Sequence, residues 1–408
     1  MNNVLFKTQE LYRSRMQGRK IRVLRIINRF NIGGPTYNAT LLTKFLSKDF
    51  ETLLIGGLPE EGETDSLFIP RSYGIEPLLL NELKREPNFF SDRQALKKIK
   101  SIIREFKPDI VHTHASKAGA LGRKAAIDCN VPVIVHTFHG HVFHSYFGTF
   151  KTWIFKMIER RLASKTNGII AISPTQKNEL CNIYRIAPDR KTKVISLGFD
   201  LEKFQRDLEL KRDETRRNFD IEKDELAIAI IGRLSAVKNH VFFIQVVSEL
   251  YLKAKNKFKV FIVGDGEERP KIEQKIKSLC PAAPIFFTSW IKDISSFNPG
   301  MDIICLTSLN EGTPVSLIEA QASNVPIICT DVGGVCDIMK DGETGYICPS
   351  NNLEYFVEKL LFLIENEKIR KKMSQNGWSF VRDRYSYEIL VEKTEKYYRE
   401  KLKEINYL

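Results

Sequence analysis

Two carboxylates, Glu311 and Glu319, stand eight positions apart in Asn310-Glu311-Gly312-Thr313-Pro314-Val315-Ser316-Leu317-Ile318-Glu319-Ala320. Between them lies a helix-start signal. Thr313 can accept a backbone N–H as an N-cap, and Pro314 suits the first helical position. Glu311 is therefore expected in the loop before a helix, and Glu319 about a turn and a half along it. Carboxylate oxygens accept from hydroxyls, and the free N–H groups of a helix start attract anions. Acids also collect at helix starts for the macrodipole alone, so the neighbouring residues must decide.

Gly232-Arg233-Leu234-Ser235-Ala236-Val237-Lys238-Asn239 supplies two cations around a turn. An Arg fork and a Lys point charge suit a diphosphate, although solvated surface cations would look the same in isolation. Joined to Glu319, whose carboxylate can bridge both ribose hydroxyls, they make a nucleotide site. A third group is histidine-rich: His112, His114, His136, His139, His141 and His144. A metal is the chemistry such a cluster suggests. Against it, His136 is expected at a strand end and His139 and His141 in the loop beyond, so their side chains need not converge. No CxxC or HExxH accompanies them, and no metal is expected.

These residues need scaffolding. Met301-Asp302-Ile303-Ile304-Cys305-Leu306 reads as a buried parallel strand leading into the Glu311 loop. Ile21–Ile27 reads as another, running into Asn31-Ile32-Gly33-Gly34-Pro35 and a helical pattern from Tyr37 to Leu46. Further strands are expected at Thr52–Ile55, Asp109–His112, Val131–His136 and Gly168–Ile172, then at Leu226–Ile231, Phe258–Val263, Pro284–Thr288, Ile303–Thr307, Pro326–Thr330 and Gly345–Cys348, with helices between. Strands alternating with helices in two blocks predict an α/β chain of two doubly wound, Rossmann-like domains facing across a cleft. The expected limits are 1–200 and 201–385, with one long amphipathic helix from about Ser386 to Leu408. Residues 201–225 are highly charged and lack strong apolar periodicity, and Phe199 to about Glu225 reads as the crossing into the second domain.

The chain has 408 residues, 43% hydrophobic and 28% charged, which suits two soluble cores and excludes a disordered chain. No apolar run is long enough to span a bilayer. The N-terminus is polar, so no secretory signal is expected. Seven scattered cysteines without a framework suggest free thiols in a reducing cytoplasm.

Net charge is +13, placed unevenly. Residues 1–200 hold 32 Lys and Arg against 18 Asp and Glu; residues 201–408 hold 31 against 32. A basic half suits nucleic acid, an anionic membrane or a phosphorylated acceptor. Phe143–Lys165 interleaves Tyr146, Phe147, Phe150, Trp153 and Phe155 with Lys151, Lys156, Arg160, Arg161 and Lys165. This is either a core-facing helix with a solvated basic face or an edge that touches an anionic bilayer.

In order and spacing, Gly33-Gly34-Pro35, Gly232-Arg233…Lys238, Glu311…Glu319 and Thr330-Asp331-Val332-Gly333-Gly334 resemble the retaining glycosyltransferases of family 4, which have the GT-B fold. Pro108–His114, Thr137-Phe138-His139-Gly140 and Val263–Arg269 support the resemblance, which covers nearly the whole chain. It implies an N-terminal acceptor-binding domain to which the C-terminal helix returns, and a C-terminal domain that binds a nucleotide-sugar. Glu319 would hold the ribose; Arg233 and Lys238, beside Gly232, would neutralise the leaving diphosphate. Glu311 would contact the donor sugar, with Gly312 beside it and the N–H groups of Thr313 and Val315 near sugar or phosphate; Pro314 lacks that donor. His139 would meet the donor sugar as a contact or base. Gly33 and Gly34 would let the backbone approach phosphate or acceptor. Ser289-Trp290-Ile291 is the candidate base contact, through Ile291.

The implied reaction moves a sugar from a UDP-sugar, or GDP-mannose, to a lipid-linked or saccharide acceptor in cell-surface polysaccharide or glycolipid synthesis. The nucleotide-sugar is a substrate, and no cofactor is expected. The enzyme would be cytoplasmic and peripheral at the inner face of the membrane. Front-face attack and a covalent Glu311 intermediate both remain open. Competing readings are a GT-B nucleotide-sugar epimerase and a phosphorylase, which would need a pyridoxal phosphate lysine context not seen here. A dinucleotide-dependent oxidoreductase conflicts with the absence of GxGxxG. A basic nucleic-acid-binding protein would leave the donor constellation unexplained, and no nucleic-acid partner is expected.

Overall fold

A computed structural model describes residues 19–31, 33–59, 65–84, 88–139 and 149–407. The chain divides into two compact units: Met1–Phe199 with Tyr387–Leu408, and Asp200–Ser386.

The first unit holds a parallel seven-stranded sheet ordered β3-β2-β1-β4-β5-β6-β7. Its strands are β1 Ile21–Arg29, β2 Phe50–Gly57, β3 Leu78–Leu79, β4 Ile110–His114, β5 Val133–Phe138, β6 Gly168–Ala171 and β7 Thr192–Val194. Both faces are covered, as an all-parallel sheet requires. Along β1 the side chains alternate. Leu24 and Ile26 enter one core with Ile99 and Ile103 of the Phe89–Phe106 helix. Val23 enters another with Leu390, Tyr397 and Tyr398 of the Tyr387–Glu404 helix. That C-terminal helix is thus one layer of the first unit. Tyr387 N–H donates to Phe199 O at 3.0 Å, and the Tyr397 hydroxyl donates to Lys191 O at 3.1 Å.

The second unit holds a parallel six-stranded sheet ordered β10-β9-β8-β11-β12-β13. Its strands are β8 Leu226–Ile231, β9 Phe258–Val263, β10 Ile285–Ser289, β11 Ile303–Leu306, β12 Ile327–Thr330 and β13 Gly345–Cys348. Every residue of β8 and β11 is buried, which explains their uninterrupted apolar runs. In both sheets the strand order reverses direction at one place, between β1 and β4 and between β8 and β11. Those are the switch points where open α/β sheets leave a crevice at their carboxyl ends.

Two local expectations change. The charged stretch after residue 200 is helical at Glu202–Gln205 and Leu208–Asn218. Its fixing contacts are polar: Arg212 and Arg216 both pair with Asp302, at 2.7 and 3.1 Å. Apolar periodicity therefore could not reveal it. The helix after the Glu311 loop begins at Val315, with Pro314 rather than Thr313 at the N-cap position. Pro314 has extended backbone, and no side chain caps this helix. Among the described residues its first N–H groups are left without a side-chain acceptor, the arrangement that draws an anion.

Candidate active site

At the switch point of the second sheet, Lys238 Nζ lies 2.6 Å from Glu311 Oε1. The pair joins the turn after β8 to the loop after β11, neighbouring strands. The Ser308 hydroxyl donates to the same Glu311 oxygen at 2.5 Å. Leu309 N–H donates to Val237 O at 2.8 Å, binding the two loops along their backbones. The Glu311–Gly312 loop is also pressed against the turn after β12. Gly334 N–H donates to Glu311 O at 3.1 Å. A Cβ at Gly334 would stand 1.9 Å from Gly312 O, and one at Gly333 as close to Glu311 O. Only glycine permits that approach.

Glu319 lies on the Val315–Ala322 helix, one turn beyond its open N-terminus. Burial lifts its carboxyl to about 7, and the positive charge of Lys203 only partly offsets the lift. A carboxyl so placed gains from a ligand whose hydroxyls donate to it. Arg233, by contrast, is exposed and pairs at 3.0 Å with exposed Glu267, a contact that solvent screens. Its guanidinium is therefore free to turn to a ligand at little cost. Gly232 lies at the same edge, and Ile291 follows β10 there, next to exposed Trp290.

The first unit brings its candidates to its own switch point. Gly33 precedes the Gly34–Phe45 helix, which has Pro in its first turn and no side-chain cap. Among the described residues, a Cβ at Gly33 would meet only the Pro35 ring, at 3.6 Å. Packing thus does not demand glycine there; the residue leaves the backbone open.

His112 and His114 alternate along β4 and face the same side. His112 Nδ1 is 2.5 Å from the Tyr398 hydroxyl, and its Nε2 is 2.7 Å from Thr137 Oγ1. His114 Nδ1 lies 2.8 Å from His139 Nε2. His136 instead bonds Thr113 at 2.8 Å and packs edge-on to Phe138. The described histidines are thus divided among different partners, and among the described residues no three groups converge as a metal would need. His141 and His144 lie outside the described residues. Burial pushes His139 down to about 3 and holds His112, His114 and His136 well below the usual histidine range, so all four are neutral at pH 7.

Comparison with known families matches both units. Residues 33–203 fit the model of Glycosyltransferase Family 4, and residues 211–379 fit that of Glycosyl transferases group 1. This chain is a family 4 glycosyltransferase.

Relatives of the glycosyltransferase include the Escherichia coli UDP-Gal:alpha-D-GlcNAc-diphosphoundecaprenol alpha-1,3-galactosyltransferase, 28% identical over 74% of this chain and 78% of that one. The Staphylococcus aureus capsular polysaccharide biosynthesis glycosyltransferase CapM is 29% identical over 82% of this chain and 88% of its own. Among solved structures, a Rickettsia africae glycosyltransferase superposes with a TM-score of 0.76 at 21% identity, covering 94% of this chain and all but 1% of that one (99%). Anabaena HepE in complex with UDP gives 0.77 at 16% identity, over 93% and 100% of the two chains. These likenesses show the GT-B fold, two Rossmann-like domains built on parallel sheets.

In this glycosyltransferase most of the donor-site candidates belong to the second unit: Gly232, Arg233, Lys238, Ile291, Glu311, Gly312, Thr313, Pro314, Val315 and Glu319. They follow the carboxyl ends of β8, β10 and β11. Lys238, Glu311, Gly312 and the start of the Val315–Ala322 helix come together; Arg233 stands apart with Glu267. Gly33, Gly34 and His139 belong to the first unit. Several participants were not singled out from sequence. Ser308 and Lys203 gave no pattern. His240, the first residue of the His240–Lys253 helix, is buried, held to about 4 chiefly by burial, and unpartnered at both ring nitrogens among the described residues. Arg25 did leave a trace, a lone cation inside the apolar run Val23-Leu24-Arg25-Ile26.

Proposed function

We propose that this enzyme transfers a sugar from a UDP-sugar to a lipid-linked acceptor in cell-surface polysaccharide assembly, with retention of configuration and without a metal. The observation that carries this reading is the Lys238–Glu311 pair at the switch point, beside the uncapped start of the Val315–Ala322 helix. Breaking a sugar–phosphate bond leaves extra charge on the diphosphate oxygen. Lys238, Arg233 and the helix N–H groups would stabilise that charge from fixed positions. Glu319 would take the ribose hydroxyls, and Glu311 and His139 the sugar. Before donor arrives, Lys238 and Glu311 neutralise each other. A diphosphate competes for Lys238 and releases Glu311 toward the sugar.

The nucleotide and acceptor are drawn from the names of the relatives: the E. coli enzyme uses UDP-galactose and a diphosphoundecaprenol acceptor, and CapM serves capsule synthesis. The test is thermal stabilisation by UDP, GDP and ADP, followed by transfer from UDP-galactose to a synthetic GlcNAc-diphospholipid. Stabilisation by UDP alone is expected; selective stabilisation by GDP would overturn the donor assignment.

A peripheral position on the inner face of the membrane belongs to the same reading. No helix among the described residues is long and apolar enough to cross a bilayer. Trp153, Met157 and Ile158 are exposed along the Thr149–Ser164 helix of the basic half. Aromatic and basic side chains together suit an anionic lipid surface. Co-sedimentation with phosphatidylglycerol vesicles at low salt, weakened by high salt, is expected; no binding at low salt removes this part.

A further inference from the structure

We propose that His114 is the positioning residue of His139, and that the bond between their rings sets which nitrogen of His139 carries its proton. The inference rests on the reading that His139 meets the donor sugar. His114 Nδ1 and His139 Nε2 are 2.8 Å apart, with ring centroids 5.1 Å apart and planes inclined by 31°. The outer nitrogens, His114 Nε2 and His139 Nδ1, are both buried and without partner among the described residues. Each end of the pair is thus left open to a group outside the described residues.

Proton accounting limits what the pair can present. Two neutral imidazoles carry two ring protons, and one must lie in the shared bond. If His114 donates it from Nδ1, the second proton sits on His139 Nδ1, which then offers a hydrogen to a sugar oxygen. If His139 donates from Nε2, its Nδ1 is a bare acceptor and the second proton sits on His114 Nε2. The two outer nitrogens are always complementary, so His114 and His139 act as one tautomeric unit. Protonating both outer nitrogens would put a charge in a buried place.

The surroundings hold the pair neutral and still. His112 packs against His114 with centroids 4.2 Å apart and planes inclined by 33°, and is itself bonded at both nitrogens, to Tyr398 and Thr137. Arg25 donates to the Tyr398 hydroxyl at 3.1 Å and to Thr43 Oγ1 at 3.1 Å, fully buried and with no carboxylate paired to it among the described residues. After burial, the first cause, positive charge from Arg25 is among the effects that lower both His112 and His114. A second cation in this row is therefore opposed. His112 covers one side of the His114 ring, and the bond to His114 orients the His139 ring. This is how one residue fixes the hydrogen-bonding character of another that faces substrate.

The test uses the full chain and variants His114→Phe, His114→Asn and His139→Phe. Phe keeps the ring and removes the bond; Asn returns a polar atom near the place of Nδ1. His114→Phe is expected to lower kcat for UDP release from UDP-galactose, with GlcNAc-diphospholipid as acceptor, by about tenfold or more. The donor KM should stay within about threefold, and His114→Asn should recover most of the loss. Nitrogen-15 shifts of His139 should report a single neutral tautomer in the wild type from pH 6 to 8, and a mixture in His114→Phe. Wild-type kcat in a folded His114→Phe, or a mixed His139 tautomer in the wild type, overturns the inference. Should His114→Phe not fold, His114→Asn and the wild-type spectrum decide it. Full turnover in His139→Phe would instead overturn the sugar-contact reading, while the spectra still test the pair.

Discussion

At the scale of single residues, environment changes what the same side chain can do. Glu311 is held by Lys238 and Ser308 (2.6 and 2.5 Å), whereas Glu319 is desolvated and raised to about 7. Two predictions follow from that contrast. A carboxyl whose folded value lies above its unfolded value near 4.5 stabilises the fold below about pH 4.5. That contribution is lost as pH rises through about 7. Glu319→Gln should therefore unfold at higher urea than the wild type at pH 8.5, by up to roughly 3 kcal/mol, and level with it at pH 4. It should also bind UDP more weakly, because an amide is a poorer acceptor for ribose hydroxyls. Equal urea midpoints at both pH values would show that Glu319 is not desolvated. Glu311→Gln should separate binding from turnover. Freed of its partner, Lys238 should hold UDP at least as tightly by calorimetry, while kcat falls on the order of a hundredfold. A parallel loss of UDP affinity would mean that Glu311 holds the nucleotide rather than the sugar.

At the scale of elements, the two glycine pairs have different reasons to be glycine. The turn after β12 presses on the Glu311 loop so closely that a methyl at Gly334 would meet a carbonyl oxygen at 1.9 Å. Gly334→Ala must displace that loop, and overpacking of this kind costs roughly 1–3 kcal/mol. A Cβ at Gly33 would meet only Pro35 among the described residues, at 3.6 Å, and the backbone there is extended. Gly33→Ala should therefore melt like the wild type, and any fall in its transfer rate reports on substrate approach. If Gly33→Ala melts markedly lower, that residue serves the fold after all. Both pairs were visible in the sequence as motifs, but spacing could not separate their tasks. The Thr313 expectation failed for a similar reason: local residue preference names a good N-cap, while the loop's contact with its neighbours decides where the helix starts.

At the scale of the whole molecule, the C-terminal helix belongs to the core of the first unit although some two hundred residues separate them in sequence (Phe199 to Tyr387). Leu390, Tyr397, Tyr398 and Leu402 are all buried there. Losing four such side chains costs on the order of 10 kcal/mol, comparable to the entire stability of a domain. A chain ending at Ser386 should thus lose the cooperative unfolding transition of the first unit and keep that of residues 200–386. Calorimetry of the truncated chain reads this directly, and two intact transitions would contradict it. Tyr398 also ends at His112, so the same helix that completes the core steadies the histidine row.

The sequence by itself determined the two βα blocks, most of the strands, the glycine motifs, both carboxylates and the cations Arg233 and Lys238. These are patterns of residue type over short spans, where side-chain period and turn chemistry are enough. It also carried the family, through the order of four motifs. Only the tertiary structure decided that Lys238 closes on Glu311, that Glu319 is desolvated and that His139 pairs with His114. It alone brought Arg25 beside Tyr398. Burial and through-space pairing sum over segments far apart in the chain, so no window of sequence contains them.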